Sequence, residues 1–132
     1  MRTHVLTILP GLIAVCRLDP ADGVPEWFEA DPPLASLVRT DQELTLVLPG
    51  DRVPDGVEAG AGWRALRVEG EFDLTTTFGV IAGVTSPLAA AEVSVLSISS
   101  YATDYLLVQD SDLARAALAL RDAGHEVIEP IG

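Results

Sequence analysis

The sequence contains no lysine, and its eight basic residues, all arginine, stand against twenty acidic ones. The formal net charge is therefore −12 at pH 7. Nucleic acids and anionic lipids require clustered basic side chains, so scattered arginines on an acidic chain exclude nucleic acid as a partner. The missing lysine also excludes Schiff-base chemistry and the phosphate-binding lysine of a P-loop.

Cysteine is nearly absent as well. A single residue, Cys16, cannot form an internal disulfide, and this usage is typical of a cytoplasmic protein. The two histidines, His4 and His125, are far from Cys16 in sequence and provide no metal-binding spacing. We therefore expect no metal and no other cofactor.

Long hydrophobic runs are missing too, although 48% of the residues are hydrophobic. No run reaches the roughly 18 apolar residues that a transmembrane helix needs. Pro10-Gly11 divides the apolar N-terminus, and no small-residue cleavage site follows, so a signal peptide is not expected. The apolar surplus then belongs to a core or a subunit interface, and no membrane partner is expected.

Catalytic signatures are lacking. No nucleophile lies beside a base, and no glycine-rich phosphate fingerprint is present. Cys16 lies within an apolar run, where a free thiol usually behaves as a small hydrophobe. Neighbouring carboxylates such as Asp110 and Asp112 lie at ends of elements, where capping explains them. We expect a protein that is not an enzyme.

The clearest positive signal lies at residues 93–108. Two apolar, β-branched runs, VSVLSIS and YLLV, flank the polar segment 100–104, which predicts a β-hairpin. Helical patterns lie on both sides, so the second half has the order βαββαβ. This order predicts an α+β fold of the ferredoxin-like type with an antiparallel sheet.

The first predicted helix has credible N-caps at Thr75, Thr76 and Thr77. Its apolar positions with a 3.6-residue period are Phe78, Ile81, Ala82, Thr85 and Leu88. Gly79 and Gly83 would leave a flat stripe for close approach of another backbone. Pro87 predicts a kink or near-break around Gly83, and Glu92 stands where a helix exit usually prefers glycine.

The last predicted helix is simpler. Asp110 or Ser111 is its expected cap, and Gly124 is its expected end. Its predicted buried stripe consists of Leu113, Ala116, Ala117 and Leu120.

The first half is rich in strands and poor in helices. Residues 3–9 and 12–18 are either a tight hairpin or one bent strand, and residues 34–39 and 43–48 form a second hairpin. The Gly- and Pro-rich segment 49–62 reads as a connecting loop. We therefore predict two tandem halves, 1–62 and 63–132, the first a degenerate copy of the second, with strands exchanged between them.

The segments TFGVIAGVTSPLAAAE, ISSYATDYLLV and SDLARAALALRDAGHEV resemble the ACT-domain family. The resemblance is closest to small proteins with paired ACT modules, related to aspartokinase regulatory domains and to cytosolic arginine sensors. It implies a regulatory protein that binds an amino acid at the interface between the halves, and a homodimer. It places Asp104 against the cationic groups of the ligand, and the further residues implied are Ser100, Tyr101, Thr103, Ser36 and Leu37.

The physical chemistry of helix ends adds a further candidate to the ligand site, the start of the first predicted helix, Thr77-Phe78-Gly79-Val80. The free N–H groups of a helix N-terminus can receive an α-carboxylate without a basic side chain. The residues alone leave alternatives open: Asp104 as a turn aspartate, Gly79 as a packing residue, and Ser36 and Leu37 as an ordinary edge strand. The alternative function is a ligand-free structural or interaction module that dimerises through sheet edges or helix faces.

Overall fold

A computed structural model describes residues 2–130 and divides the chain into two compact units. The N-terminal unit comprises residues 10–63, and the C-terminal unit comprises residues 2–9 together with 64–130. This division differs from the expected halves, 1–62 and 63–132, in the first strand, which pairs with strands of the C-terminal unit.

The C-terminal unit contains the predicted βαββαβ order and confirms the α+β ferredoxin-like fold. The elements are β1 (Val5–Ile8), β5 (Ala59–Val68, which begins in the other unit), α1 (Val80–Ala90), β6 (Leu96–Ser99), β7 (Asp104–Gln109), α2 (Leu113–Asp122) and β8 (Glu126–Ile128). The strand order is β6-β7-β5-β1-β8. β1 is antiparallel to β5 and parallel to β8, so it separates the first and last strands of the motif.

The core of the C-terminal unit combines apolar residues of the sheet with one stripe from each helix. α2 contributes Ala116, Ala117 and Leu120, with Leu113 partly buried, as predicted. Of the predicted face of α1, Leu88 is buried, but Val80, Gly83 and Val84 are buried with it in place of the other predicted residues. The helix begins two residues after Phe78, which is 91% exposed, and this later start moves the buried stripe to other residues.

The start of α1 also differs from the prediction. Its N-cap is Gly79, in the left-handed conformation with φ of 81°, and no threonine caps it. The Asp73 carboxylate instead fixes the preceding turn: Oδ1 accepts hydrogen bonds from the Thr75 hydroxyl and from the backbone N–H groups of Thr75 and Thr76, at 2.7, 2.8 and 3.1 Å. These bonds, that of the Thr75 hydroxyl foremost, lower the pKa of the Asp73 carboxyl.

The rest of α1 and both ends of α2 are regular. α1 continues to Ala90 through Pro87 without the predicted break. α2 has Asp112 as its N-cap, after a 3₁₀ turn at Asp110–Asp112, and not Asp110 or Ser111. Gly124, with φ of 96°, follows the end of α2 as predicted. Neither helix is long and apolar enough to cross a lipid bilayer.

The N-terminal unit is a sheet with the strand order β3-β4-β2-β5, formed by β2 (Ile13–Leu18), β3 (Ser36–Arg39), β4 (Leu44–Pro49) and the first part of β5. The predicted β3–β4 hairpin is present. The described residues of the N-terminal unit contain a 3₁₀ turn at Gly50–Arg52 but no α-helix. The loop predicted for residues 49–62 was too long, because β5 already begins at Ala59 and pairs with Cys16.

Candidate functional site

A cavity of about 230 Å³ in the C-terminal unit lies between the start of α1 and the β6–β7 hairpin. This volume is below the ~300–1,000 Å³ of typical sites for drug-sized ligands, so the cavity suits a smaller molecule. Its lining residues are Phe72, Asp73, Leu74, Thr77, Phe78, Gly79, Val80, Ile81, Ser99, Ser100, Tyr101, Ala102, Thr103 and Asp104.

The hairpin holds Asp104 in a defined position. Asp104 is half-buried and lies directly opposite Ser99 in the β6–β7 register, and the Ser99 hydroxyl donates a hydrogen bond to Asp104 Oδ1 at 2.5 Å. The turn is closed by the Ser100 N–H, which donates to the Thr103 carbonyl at 2.8 Å. The Thr103 hydroxyl donates to the Val68 carbonyl and so ties the turn to β5. The carboxylate is therefore positioned by the sheet.

The helix wall of the cavity offers hydrogen-bond donors. The first intrahelical bond of α1 runs from the Gly83 N–H to the Gly79 carbonyl at 3.0 Å. The N–H groups of residues 80–82 precede it, and an α-helix provides no internal acceptor for such groups. Together they carry the partial positive charge of the helix N-terminus, which stabilises an anion. No side chain caps this end.

The two walls are joined by one backbone contact. The Phe72 N–H donates to the Ala102 carbonyl at 2.7 Å, which connects the segment before α1 to the hairpin turn. The charged side chains in the lining are the carboxylates of Asp73 and Asp104, and none of the described lining residues is basic. The cavity thus combines a negative wall with a wall of N–H donors.

The rim of the cavity is apolar and exposed. Leu74, Phe78 and Tyr101 are 64%, 91% and 84% exposed, although side chains of this size usually lie at least partly inside. Exposed apolar groups beside a cavity are typical of surfaces that contact a ligand or a partner. Phe78 was predicted to be helical, and its position on the rim follows from the later start of α1.

Eight of the ten predicted site residues line this cavity: Thr77, Phe78, Gly79, Val80, Ser100, Tyr101, Thr103 and Asp104. The other two, Ser36 and Leu37, lie in β3 of the N-terminal unit, where Ser36 is half-buried and Leu37 is exposed. They are not among the lining residues, and their contribution stays a prediction. The prediction missed the other six lining residues, Phe72, Asp73, Leu74, Ile81, Ser99 and Ala102. Of these, Asp73 carried a signal, since aspartate two residues before threonine commonly fixes a turn.

Residues 2–130 contain no group of three or more histidine, cysteine, aspartate or glutamate side chains that could hold a metal ion. The carboxylates and the helix N–H groups of the cavity can form hydrogen bonds and electrostatic contacts with a small charged molecule.

The C-terminal unit is thus a ferredoxin-like α+β unit with a small cavity between a helix and a hairpin, and these features define the structural class of the chain. Comparison with known proteins gives the family: a sequence model of the ACT domain matches residues 58–122, and a second model, described as an N-terminal domain, matches residues 11–56. A crystal structure of an Agobacterium tumefaciens protein is 31% identical, with a TM-score of 0.91, and the match covers 100% of this chain and 97% of that one. The chain belongs to the ACT-domain family.

More distant structures share the fold. A Vibrio cholerae protein, described as of unknown function and a possible transport protein, is 20% identical over 92% of this chain and 90% of its own, with a TM-score of 0.73. The ligand-free regulatory subunit of aspartate kinase from Thermus thermophilus is 12% identical over 86% of this chain and 91% of its own, with a TM-score of 0.59. No curated protein sequence matches the chain.

Proposed function

We propose that the chain is a regulatory protein without catalytic activity that binds an amino acid, or a similar small zwitterion, in the cavity of the C-terminal unit. The observation that carries the proposal is that Asp104 and the first turn of α1 line the same cavity. A zwitterion needs a carboxylate partner for its ammonium group and N–H donors for its own carboxylate. Opposite walls of this cavity supply the two.

The charges of the lining residues predict which amino acids bind more tightly. Asp73 and Asp104 are acidic, and the described lining has no cation to pair with an acidic side chain. An aspartate or glutamate ligand would therefore face like charge, which disfavours binding. We expect neutral and basic amino acids to bind more tightly than acidic ones.

Regulation requires a ligand that prefers one state of the protein, because binding shifts an equilibrium only through unequal affinities. The shared fold with an aspartate kinase regulatory subunit supports a regulatory role. We further propose a homodimer in the cytoplasm, with Ser36 and Leu37 as part of the complete site. The exposed apolar side chains of the edge strand β3, Leu37 and Val38, support self-association, since an uncovered edge favours pairing.

The test is titration calorimetry of the full chain against the twenty amino acids, with thermal shift as a second readout. We expect at least one neutral or basic amino acid to bind and to raise the melting temperature, as any ligand of the native state does. Asp104→Asn keeps the side-chain shape but removes the charge, and it should weaken binding by about tenfold or more. Asp41→Asn, in the exposed turn between β3 and β4, is the matched control and should leave affinity unchanged.

Silence across all twenty amino acids, or wild-type affinity in Asp104→Asn, would contradict the proposal. The exposed aromatic rim supports a second candidate, an interaction module in which a protein surface covers Phe78 and Tyr101. That candidate predicts silence in calorimetry together with self-association that Phe78→Ser and Tyr101→Ser abolish. Sedimentation velocity of the wild type and both variants separates the two functions.

A further inference from the structure

A second cavity lies in the N-terminal unit, at the end of the sheet where β2 begins and β4 ends. Its volume of about 670 Å³ is within the ~300–1,000 Å³ of typical sites for drug-sized ligands. All ten described lining residues belong to residues 10–63. None of them lines the cavity between α1 and the β6–β7 hairpin, so the two cavities are separate sites.

Proline rings form much of the apolar wall of this cavity. Four of the ten described lining residues are prolines, namely Pro10, Pro32, Pro33 and Pro49. A proline ring has almost no side-chain freedom to lose, so these walls are in place before a ligand arrives. Proline rings and aromatic rings pack well on each other, as in the aromatic-lined grooves that bind proline-rich peptides. The wall therefore favours a ligand with an aromatic ring.

Hydrogen bonds within the unit fix the segments that carry these prolines. The Gly50 N–H donates to the Leu12 carbonyl at 2.9 Å, which joins the segment before β2 to the turn after β4. Arg52 Nη1 donates to Glu29 Oε2 at 3.0 Å and to Asp31 Oδ2 at 2.5 Å, which joins the same turn to the proline pair that follows Asp31. The cavity is thus held by the chain itself.

The polar end of the cavity carries an excess of negative charge. Asp51 and Arg52 are the ionisable residues in the described lining. The Arg52 guanidinium lies 3.0, 2.5 and 3.9 Å from the carboxylates of Glu29, Asp31 and Asp51, so one positive charge faces three negative ones. The Asp51 contact is the longest of the three, and this side chain is 85% exposed. Its carboxylate can therefore pair with a cation, and the surroundings repel an anion.

We propose that this cavity binds a small aromatic amine, with the proline rings against the aromatic ring and the Asp51 carboxylate against the ammonium group. A zwitterionic amino acid fits the cavity less well, because its own carboxylate would face the excess negative charge. The site is independent of the amino-acid site proposed above, and either one can be present without the other.

The test is an NMR titration of the full chain with tryptamine. The lining residues that have a backbone N–H report on binding, and we expect saturable shifts at Gly11, Leu12, Gly50, Asp51, Arg52 and Gly62. Indole-3-propionate has the same ring and the opposite charge, so it should bind about tenfold more weakly. 2-Cyclohexylethylamine keeps the charge but has no aromatic ring, so it should bind about threefold more weakly.

Variants with matched controls locate the amine. Leu12 is 49% exposed and lines the cavity, so Leu12→Ser should weaken tryptamine binding about fivefold without risk to the core. Leu118→Ser, on the exposed face of α2, is its control. Asp51→Asn should weaken binding about threefold, with Asp41→Asn as its control. Asp104→Asn should leave tryptamine affinity unchanged, because Asp104 lines the other cavity.

Three outcomes would overturn this proposal. One is the absence of shifts at the lining amides up to about 5 mM tryptamine. Another is equal affinity for tryptamine and indole-3-propionate. The third is a loss of affinity in Asp104→Asn but not in Leu12→Ser, which would place the amine in the C-terminal unit. Amino-acid binding that depends on Asp104 would stand in each case, so failure of this site is distinct from failure of the proposed function.

Discussion

Glu92 and Gly124 occupy the same position of the same helix-ending motif. In each case the N–H of this residue donates to the carbonyl three residues back, and the following N–H donates to the carbonyl five residues back, at 2.9–3.0 Å. The position requires a left-handed backbone, with φ of 58° at Glu92 and 96° at Gly124. Glycine adopts this conformation freely, whereas glutamate is strained in it.

The first prediction follows from that strain. Glu92→Gly should raise the free energy of unfolding by about 0.5–1 kcal/mol, since the relief of a left-handed side chain exceeds the added flexibility of the unfolded chain. The Glu92 side chain is exposed, so little packing is lost. Urea unfolding followed by circular dichroism measures the change.

Gly124→Ala is the reciprocal control for Glu92→Gly. A Cβ at Gly124 would lie 3.3 Å from the Thr3 methyl group, in addition to the left-handed strain. This variant should lose about 1 kcal/mol or more. If Glu92→Gly lowered the unfolding midpoint, the assignment of strain to Glu92 would be wrong.

The second prediction separates the two glycines of α1. A Cβ at Gly83 would meet no atom within 4 Å, and φ there is ordinary for a helix, so Gly83→Ala should stabilise the protein by about 0.5–1 kcal/mol. Gly79 also has free space, but its φ of 81° makes Gly79→Ala destabilising by about 1 kcal/mol. Thermal unfolding of the pair gives the signs.

Amino-acid binding gives these two variants a further contrast. Gly79 begins the helix and lines the cavity, so Gly79→Ala should disturb the N–H donors and weaken binding. Gly83→Ala should leave affinity unchanged, because Gly83 is not a lining residue. Equal loss of affinity in both would mean that the helix start does not contact the ligand.

Much of the C-terminal unit could be predicted from the sequence, because the signals for its strands and helices are local. The hairpin of residues 93–108 has its turn polarity and its apolar strands within sixteen residues, so the strands and the turn were predicted, whereas the role of Asp104 in a ligand site came from the resemblance to the ACT-domain family. The helix register was missed because Phe78 and Val80 both fit an apolar 3.6-residue period. The left-handed conformation of Gly79 decides that the helix begins at Val80. This conformation follows from the turn at Asp73, and no periodic pattern in the sequence indicates it.

The position of β1 could not be predicted for a different reason. Its partners β5 and β8 are about sixty and one hundred and twenty residues away, and apolar alternation shows that a strand is half-buried but not which strand lies beside it. The hydrogen bond from the His4 N–H to His125 Nδ1 spans 121 positions and could not be predicted for the same reason. Pairings between residues so far apart in the sequence are determined by the packing of the whole unit.

The third prediction concerns the only thiol. The Cys16 side chain is fully buried in the core of the N-terminal unit, and this burial raises the pKa of the thiol. Thiol reagents attack the thiolate, so native protein should react only as fast as this sheet opens. The rate with an aromatic disulfide reagent should rise with urea in parallel with unfolding. Rapid labelling of native protein would contradict the buried position.

The last prediction is the pH dependence of stability. Burial, and after it the neighbouring His125 and Arg2, lower the pKa of His4 below its usual 6.5, so the unfolded chain binds this proton more readily than the folded one. The free energy of unfolding should therefore fall as pH drops below about 6.5 and level off once pH has passed the lowered folded value. His4→Phe keeps the aromatic contact with Phe72 and the backbone bond to His125, and it should flatten part of this slope. Asp73, whose pKa is lowered, loses its contribution only below about pH 4, so the two effects separate in a urea series between about pH 5 and 8. A slope that is the same in His4→Phe and wild type would show that His4 is not the group responsible.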